Sequence, residues 1–152
     1  MTIDDLRDHY TTWFGCEPTP EGELNRAEDL LDVKFPNDFR EISKFYNGGM
    51  LGGISHNAIA AGGPASNITD ETKRLREAAG LPHRFVVLAE PPVSLIVMNS
   101  SPVKESPTVI WCDATDVSRL GAAESLHNPQ TWRSYTDFFR FLLDAESKER
   151  SA

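Results

Sequence analysis

The sequence predicts an α+β fold: a central antiparallel sheet flanked by N-terminal helices and a C-terminal helix. Three observations carry this. Apolar residues recur at helical spacing through the first 46 residues, three short β-branched runs follow in the middle, and an aromatic stripe at helical spacing closes the chain. Helices first, strands next and a helix last is the α+β pattern.

The first helix is expected over Thr2 to Phe14. Ile3, Leu6, Tyr10, Trp13 and Phe14 share one face, Thr2 suits the cap, and Asp4 and Asp5 suit the positive end of the helix dipole. Gly15 ends it, and the Pro-rich stretch Cys16 to Gly22 reads as a loop. A second helix, Pro20 to Leu31, buries Leu24, Ala27, Leu30 and Leu31. A third starts at Pro36, where a missing N–H costs nothing, and presents Phe39, Ile42, Phe45 and Tyr46. Asn47, Gly48 and Gly49 suit its C-cap. Met50 to Ile54 reads as one short strand and 56–67 as an irregular loop rich in Gly, Ala and Ser. Asp70 to Ala79 reads as a helix capped by Thr69 or Asp70. Phe85 to Ala89, Val93 to Met98 and Thr108 to Cys112 form an expected antiparallel meander, punctuated by Pro91–Pro92 and by 100–107. Residues 114–130 read mostly as loop. The last helix is expected over Thr131 to Glu146, with Trp132, Tyr135, Phe138, Phe139 and Leu142 inward.

Composition narrows the function classes. The 152 residues fit one domain over 1–152, and 39% hydrophobic against 25% charged residues support a packed core. No apolar run approaches the roughly 20 residues that span a bilayer, and the N-terminus lacks the basic and apolar regions of a secretion signal, so a cytoplasmic protein with no membrane partner is expected. The net charge is −8, and residues 1–46 hold five Lys/Arg against eleven Asp/Glu. Phosphate backbones repel such a surface, which excludes direct nucleic-acid binding, whereas a basic partner is attracted. The same carboxylates also serve solubility and helix dipoles, and the two readings stand side by side.

No pattern of residues announces chemistry. The Gly-rich stretch 48–63 lacks the P-loop signature and its lysine, and Asn47-Gly48-Gly49 reads as a turn. Cys16 and Cys112 carry no cysteine-enzyme signature, and a cytosolic pair stays reduced. His9, His56, His83 and His127 are scattered, no two at metal-ligand spacing, and Asp113 and Asp116 lack the rest of a calcium loop. No catalytic, cofactor-binding or metal site is therefore expected. The candidate partner-binding residues are Trp111, Asp113 and Asp116, where a strand opens into a long loop, Glu90 in the preceding turn, and Asp4 and Asp8 on the acidic first helix. The competing reading makes Trp111 core and Asp113 a turn former.

Two stretches resemble the SUKH superfamily. Residues 27–49, AEDLLDVKFPNDFREISKFYNGG, resemble its N-terminal signature in Leu31, Val33, Phe35, Pro36, Asp38, Phe39, Phe45, Asn47, Gly48 and Gly49. Phe85 to Ala89, Val93 to Asn99 and Val109 to Asp113 resemble its strands, and Ser134, Tyr135, Phe138, Phe139 and Leu142 its closing helix. The resemblance runs in order over 24–145, strongest in 24–49 and 85–145, and leaves 54–82 unmatched. It departs from the family at Ala89-Glu90-Pro91-Pro92, where a Gly-Gly-Asn-like turn is usual. What it implies is a binding protein without a cofactor. Many bacterial members resemble immunity proteins that neutralise toxins delivered by neighbouring cells, often nucleases or nucleotide-modifying enzymes. Others, including fungal regulators of cell-wall synthesis, act as interaction hubs. The expected partner is thus a basic cognate toxin domain, met by a monomer or weak dimer, or else an endogenous protein.

Overall fold

A computed structural model describes residues 2–102, 106–121 and 126–151. In chain order the elements are α1 (Ile3–Phe14), α2 (Glu21–Leu31), α3 (Asn37–Ile42), β1 (Gly49–Leu51), β2 (Ile54–His56), α4 (Ile68–Ala79), β3 (Phe85–Ala89), β4 (Ser94–Asn99), β5 (Val109–Asp113), a 3-10 turn (Ala114–Arg119), β6 (Gln130–Trp132) and α5 (Tyr135–Ser151). Among the described residues the sheet holds six strands in sequence order, every neighbouring pair antiparallel. The fold is the α+β arrangement that the periodicities predict.

The three central strands are apolar on both sides. Val86, Leu88, Ile96, Met98 and Val109 face the main core, built with Leu6, Tyr10, Phe39, Tyr46, Phe138 and Phe139 from the helices. The alternate positions Phe85, Val87, Leu95, Val97, Ile110 and Cys112 face a second, smaller core closed by Leu81, Val117 and Leu120. The register puts like against like: Val87 opposite Val97, Val97 opposite Ile110, Met98 opposite Val109. Aromatic rings dominate the main core. Tyr46 and Phe139 lie 5.0 Å apart edge to face, and Phe39 and Tyr135 4.8 Å apart.

Polar residues of the first helices act as internal ties. Thr2 and Asp5 form a reciprocal capping box on α1. The Glu28 carboxylate, nearly buried, accepts from the Phe35 amide at 2.7 Å and pairs with Arg40 at 3.0 Å, fixing α2 against α3. Asp38 accepts from the Thr136 amide and hydroxyl, both at 2.8 Å, so a residue of α3 holds the start of α5.

The structure moves several elements. Asn47 does not cap a helix, because α3 already ends at Ile42. Its side-chain oxygen instead lies 2.9 Å from the Thr19 hydroxyl and accepts from the Ile59 and Ala60 amides at 3.1 and 2.9 Å. Met50 to Ile54 is not one strand but a hairpin, turning at Gly52 and Gly53, both at positive φ as two-residue hairpins require. Asn67, not Thr69 or Asp70, caps α4, accepting from the Asp70 amide at 2.8 Å. Thr131 and Trp132 lie on strand β6, and α5 starts only at Tyr135, after the Ser134 hydroxyl accepts from the Asp137 amide. Trp132 still reaches the helix, 4.9 Å from Phe138 and 5.0 Å from Phe141. The loop expected over 114–130 opens with the 3-10 turn and ends in β6. Residues 103–105 and 122–125, within the expected turn and loop, lie outside the described residues. Both cysteines are free, Cys16 exposed and Cys112 buried.

Two glycines test this packing from opposite sides. At Gly48, φ is +85° and an added Cβ would sit 2.4 Å from the Asn57 carbonyl oxygen, whereas at Gly22 in α2 a Cβ meets nothing within 4 Å. Gly48→Ala is expected to cost about 2 kcal/mol or more, and Gly22→Ala to add about 0.5 kcal/mol, in urea denaturation.

The buried His56 makes stability depend on pH. Its Nε2 donates to the Leu51 carbonyl at 3.2 Å across the hairpin, and burial pushes its pKa down to about 4 from 6.5, only partly offset by that bond. The ring is then neutral in the folded chain and charged in the unfolded one, so stability falls as pH drops from 6.5 toward about 4. Asp5, Asp113 and Asp116, held below the ordinary carboxylate value first by backbone hydrogen bonds, give up their stabilisation only at lower pH. Between pH 7.5 and pH 5 the folding free energy should drop by about 2 kcal/mol from this imidazole alone, and His56→Gln should flatten the loss in urea titrations at the two pH values.

Candidate functional site

The candidate site is built where the sheet runs out of cover. β3 ends at Ala89, and Glu90-Pro91-Pro92-Val93 turn the chain into β4. The two prolines fix their own φ and remove two donors. The turn closes with the Ser94 amide donating to the Pro91 carbonyl at 3.0 Å, which puts Pro92 second and Val93 third. The third position of such a turn takes positive φ and favours glycine or asparagine. Here it holds valine, at φ 54°, with 86% of its surface exposed. A β-branched residue in the left-handed region costs about 1–2 kcal/mol, and this one recovers nothing by burial. Its carbonyl accepts from the Ala114 amide at 3.0 Å, so the turn is pinned to the end of β5.

Ser94 pairs with Asp113 and Ile96 with Trp111, so Ser94, Trp111 and Asp113 share one face at this end of the sheet. The half-buried Trp111 packs on the main core and donates its indole N–H to the Ser94 hydroxyl at 2.9 Å. Asp113 is exposed. Its Oδ1 accepts from the Thr115 amide and hydroxyl at 2.9 and 2.8 Å, which starts the 3-10 turn and keeps the carboxyl below its ordinary pKa. Asp116 has no exposed surface. It accepts from the His127 amide at 2.8 Å, from His127 Nδ1 at 2.9 Å and from Arg119 at 3.1 Å. The carboxylate only accepts, so Nδ1 carries a proton and Nε2 is left at the surface. The bond from the His127 amide is the main reason the Asp116 pKa lies low, with burial opposing it.

Val93, Ser94, Trp111, Cys112, Asp113, His127, Asn128 and Gln130 enclose an open cleft of about 290 Å³. Three non-glycine residues take positive φ among those described, and two of them, Val93 and Asn128, border it.

Of the residues the sequence put forward, Trp111 and Asp113 line this cleft. Asp116 acts from beneath it, anchoring His127 beside the opening. Glu90 stands at the start of the same turn, held by Arg74 at 2.6 Å, which Glu71 also binds. Asp4 and Asp8 lie apart, on α1, flanking Arg7 at 3.3 and 3.4 Å. The structural reading of the pair holds, since Trp111 packs on the core and Asp113 starts a turn, and both also line the cleft. Sequence reasoning missed Val93, read there as the first residue of a strand. The available signal was the Pro-Pro-Val-Ser order, a β-branched residue where a Pro-initiated turn favours glycine.

Two chemical readings bear on the described residues. Burial pushes the Cys112 thiol up to about 11, far from a thiolate at neutral pH. No group of three or more His, Cys, Asp or Glu side chains is placed to hold a metal ion among those residues, and no helix is long and apolar enough to cross a membrane.

The α+β fold thus holds a strained apolar residue, an aromatic ring and a carboxylate together at one uncovered end of the sheet. The chain matches the SUKH_5 family model, described as SMI1-KNR4 cell-wall, over residues 1–144, and it belongs to that family. No curated protein matches it.

The strain at Val93 carries its own check. Val93→Gly should relax the turn and raise stability by up to about 1 kcal/mol, read as a higher urea midpoint at unchanged slope.

Proposed function

We propose that this chain is an immunity protein. It binds a cognate bacterial toxin domain in the cytoplasm and blocks that domain's active site, acting as a single-domain monomer or weak dimer. Membership of the SUKH family supports this reading, because toxin neutralisation is what the resemblance implies for many bacterial members. The observation that carries it is Val93. A strained, 86% exposed valine is what retention for contact would explain, and beside it stand a half-buried tryptophan, a residue type enriched in binding hot spots, and a carboxylate. The net charge of −8 favours a basic partner such as a nuclease, whose nucleic-acid-binding surface is positive. Glu90 and Asp113 sit at this surface, and Asp4 and Asp8 add to the acidic field from α1.

A second reading, a regulatory module with an endogenous partner, draws on the family's cell-wall description. Co-expression separates the two. The C-terminal half of the protein encoded beside this gene is expressed in a heterologous host with and without this chain. Restored growth and a co-purifying complex are expected. Toxicity without rescue, or no toxicity, would shift the assignment to the endogenous partner.

A further inference from the structure

The cleft beside Val93 has a chemistry that selects what enters it. Its volume of about 290 Å³ has room for one long side chain and lies at the small end of the ~300–1,000 Å³ of small-molecule pockets. One wall is the Trp111 ring, whose only donor is already committed to Ser94. At the mouth stands the Asp113 carboxylate, with both of its hydrogen bonds on Oδ1 and none on Oδ2 among the described residues. Asn128 and Gln130 add carboxamides, and His127 stands beside them with its Nδ1–H taken by Asp116.

Among the described residues no lysine or arginine lines the cleft. Arg74 is paired with Glu71 and Glu90, and Arg119 with Asp116. An anion would meet the Asp113 charge with no cation to offset it. A cation meets an aromatic ring and a row of acceptors. Arginine fits better than lysine, since its planar guanidinium stacks on the indole while its fork of N–H groups serves several acceptors together. Val93 supplies the apolar rim that shields the side-chain stem from water.

We infer that the cleft formed by Val93, Trp111, Asp113 and Gln130 receives one arginine side chain from the partner protein. The inference rests on the proposed function only in taking that arginine to belong to a protein partner. It also gives a reason for the strained turn: the left-handed backbone at Val93 holds an apolar side chain at the rim, where the relaxed glycine would leave none.

The test uses the full chain, labelled with nitrogen-15, and two probes. N-acetyl-L-arginine methylamide is titrated against N-acetyl-L-citrulline methylamide, which keeps the shape and loses the charge. The signals followed are the Trp111 indole N–H and the amides of Ser94, Asp113 and Gln130. Saturable shifts at these four positions are expected, with arginine binding at least ~5-fold tighter than citrulline, in line with a cation–π contact reinforced by a carboxylate. Asp113→Asn keeps the side-chain oxygen that starts the 3-10 turn, so it should leave the rest of the spectrum in place and reduce the preference to within ~2-fold. Equal shifts from citrulline, shifts located elsewhere, or no saturation up to the solubility limit would overturn the inference. Failure here is distinct from failure of the immunity reading. Arginine binding without rescue from the toxin leaves the cleft standing and removes the immunity role. Rescue undiminished by Asp113→Asn, with no probe binding, removes the arginine site and leaves the immunity role.

Discussion

Everything in this fold follows from three short strands that are apolar on both sides. β3, β4 and β5 carry Val, Leu, Ile, Phe and Met at nearly every position, and no side of that sheet can be left to water. One face draws in the helices, with Phe138, Phe139, Tyr46 and Phe39 filling the space. The other face is closed by smaller means, the end of α4, Leu81 and the 3-10 turn with Val117 and Leu120. The unequal covers explain the shape of the functional end. The helical layer does not close over Trp111, and the short 3-10 cover leaves an edge where the β3–β4 turn projects.

The residues that carry the family resemblance work as the joints of this arrangement. Asp38 ties α3 to the first amides of α5, Asn47 gathers Thr19 and the backbone at Ile59 and Ala60, and Gly48 lets the chain pass against the Asn57 carbonyl. Asp38 and Asn47 satisfy part-buried backbone groups that no sheet or helix bond reaches, the kind of interaction costly to leave unmade, and Gly48 leaves room for the chain to pass. The motif is therefore a record of folding constraints. The turn at Glu90-Pro91-Pro92-Val93, where the chain departs from the family pattern, is of another kind. It too satisfies backbone groups, through the Ala114 amide, but at Val93 the backbone is strained and the side chain exposed.

Charge works at two ranges in this protein. Many carboxylates of the first 46 residues have local tasks, Asp5 in a capping box, Glu28 and Asp38 as internal ties, Asp4 and Asp8 around Arg7. Together they add to the negative field that surrounds the chain. At close range the cleft holds a single free carboxylate, Asp113, beside an aromatic wall.

The sequence by itself determined the fold class, the helices and the three central strands, because periodicity, caps and β-branched runs are local signals that the chain obeys wherever its apolar faces are buried. It also pointed to Trp111 and Asp113 through their place at a strand end. It did not reveal that residues 49–56 form a hairpin, where the local Gly52-Gly53 signal went unread, nor that Trp132 belongs to a strand or that Asn47 and Asp38 reach across the chain, since these last depend on partners 12 to 98 residues away. Only the tertiary structure decided that Val93 is strained and exposed and that it shares a cleft with Trp111, Asp113, His127 and Gln130. The physical reason is that strand register and uncovered surface are properties of the assembled sheet, and neither is carried by any one segment.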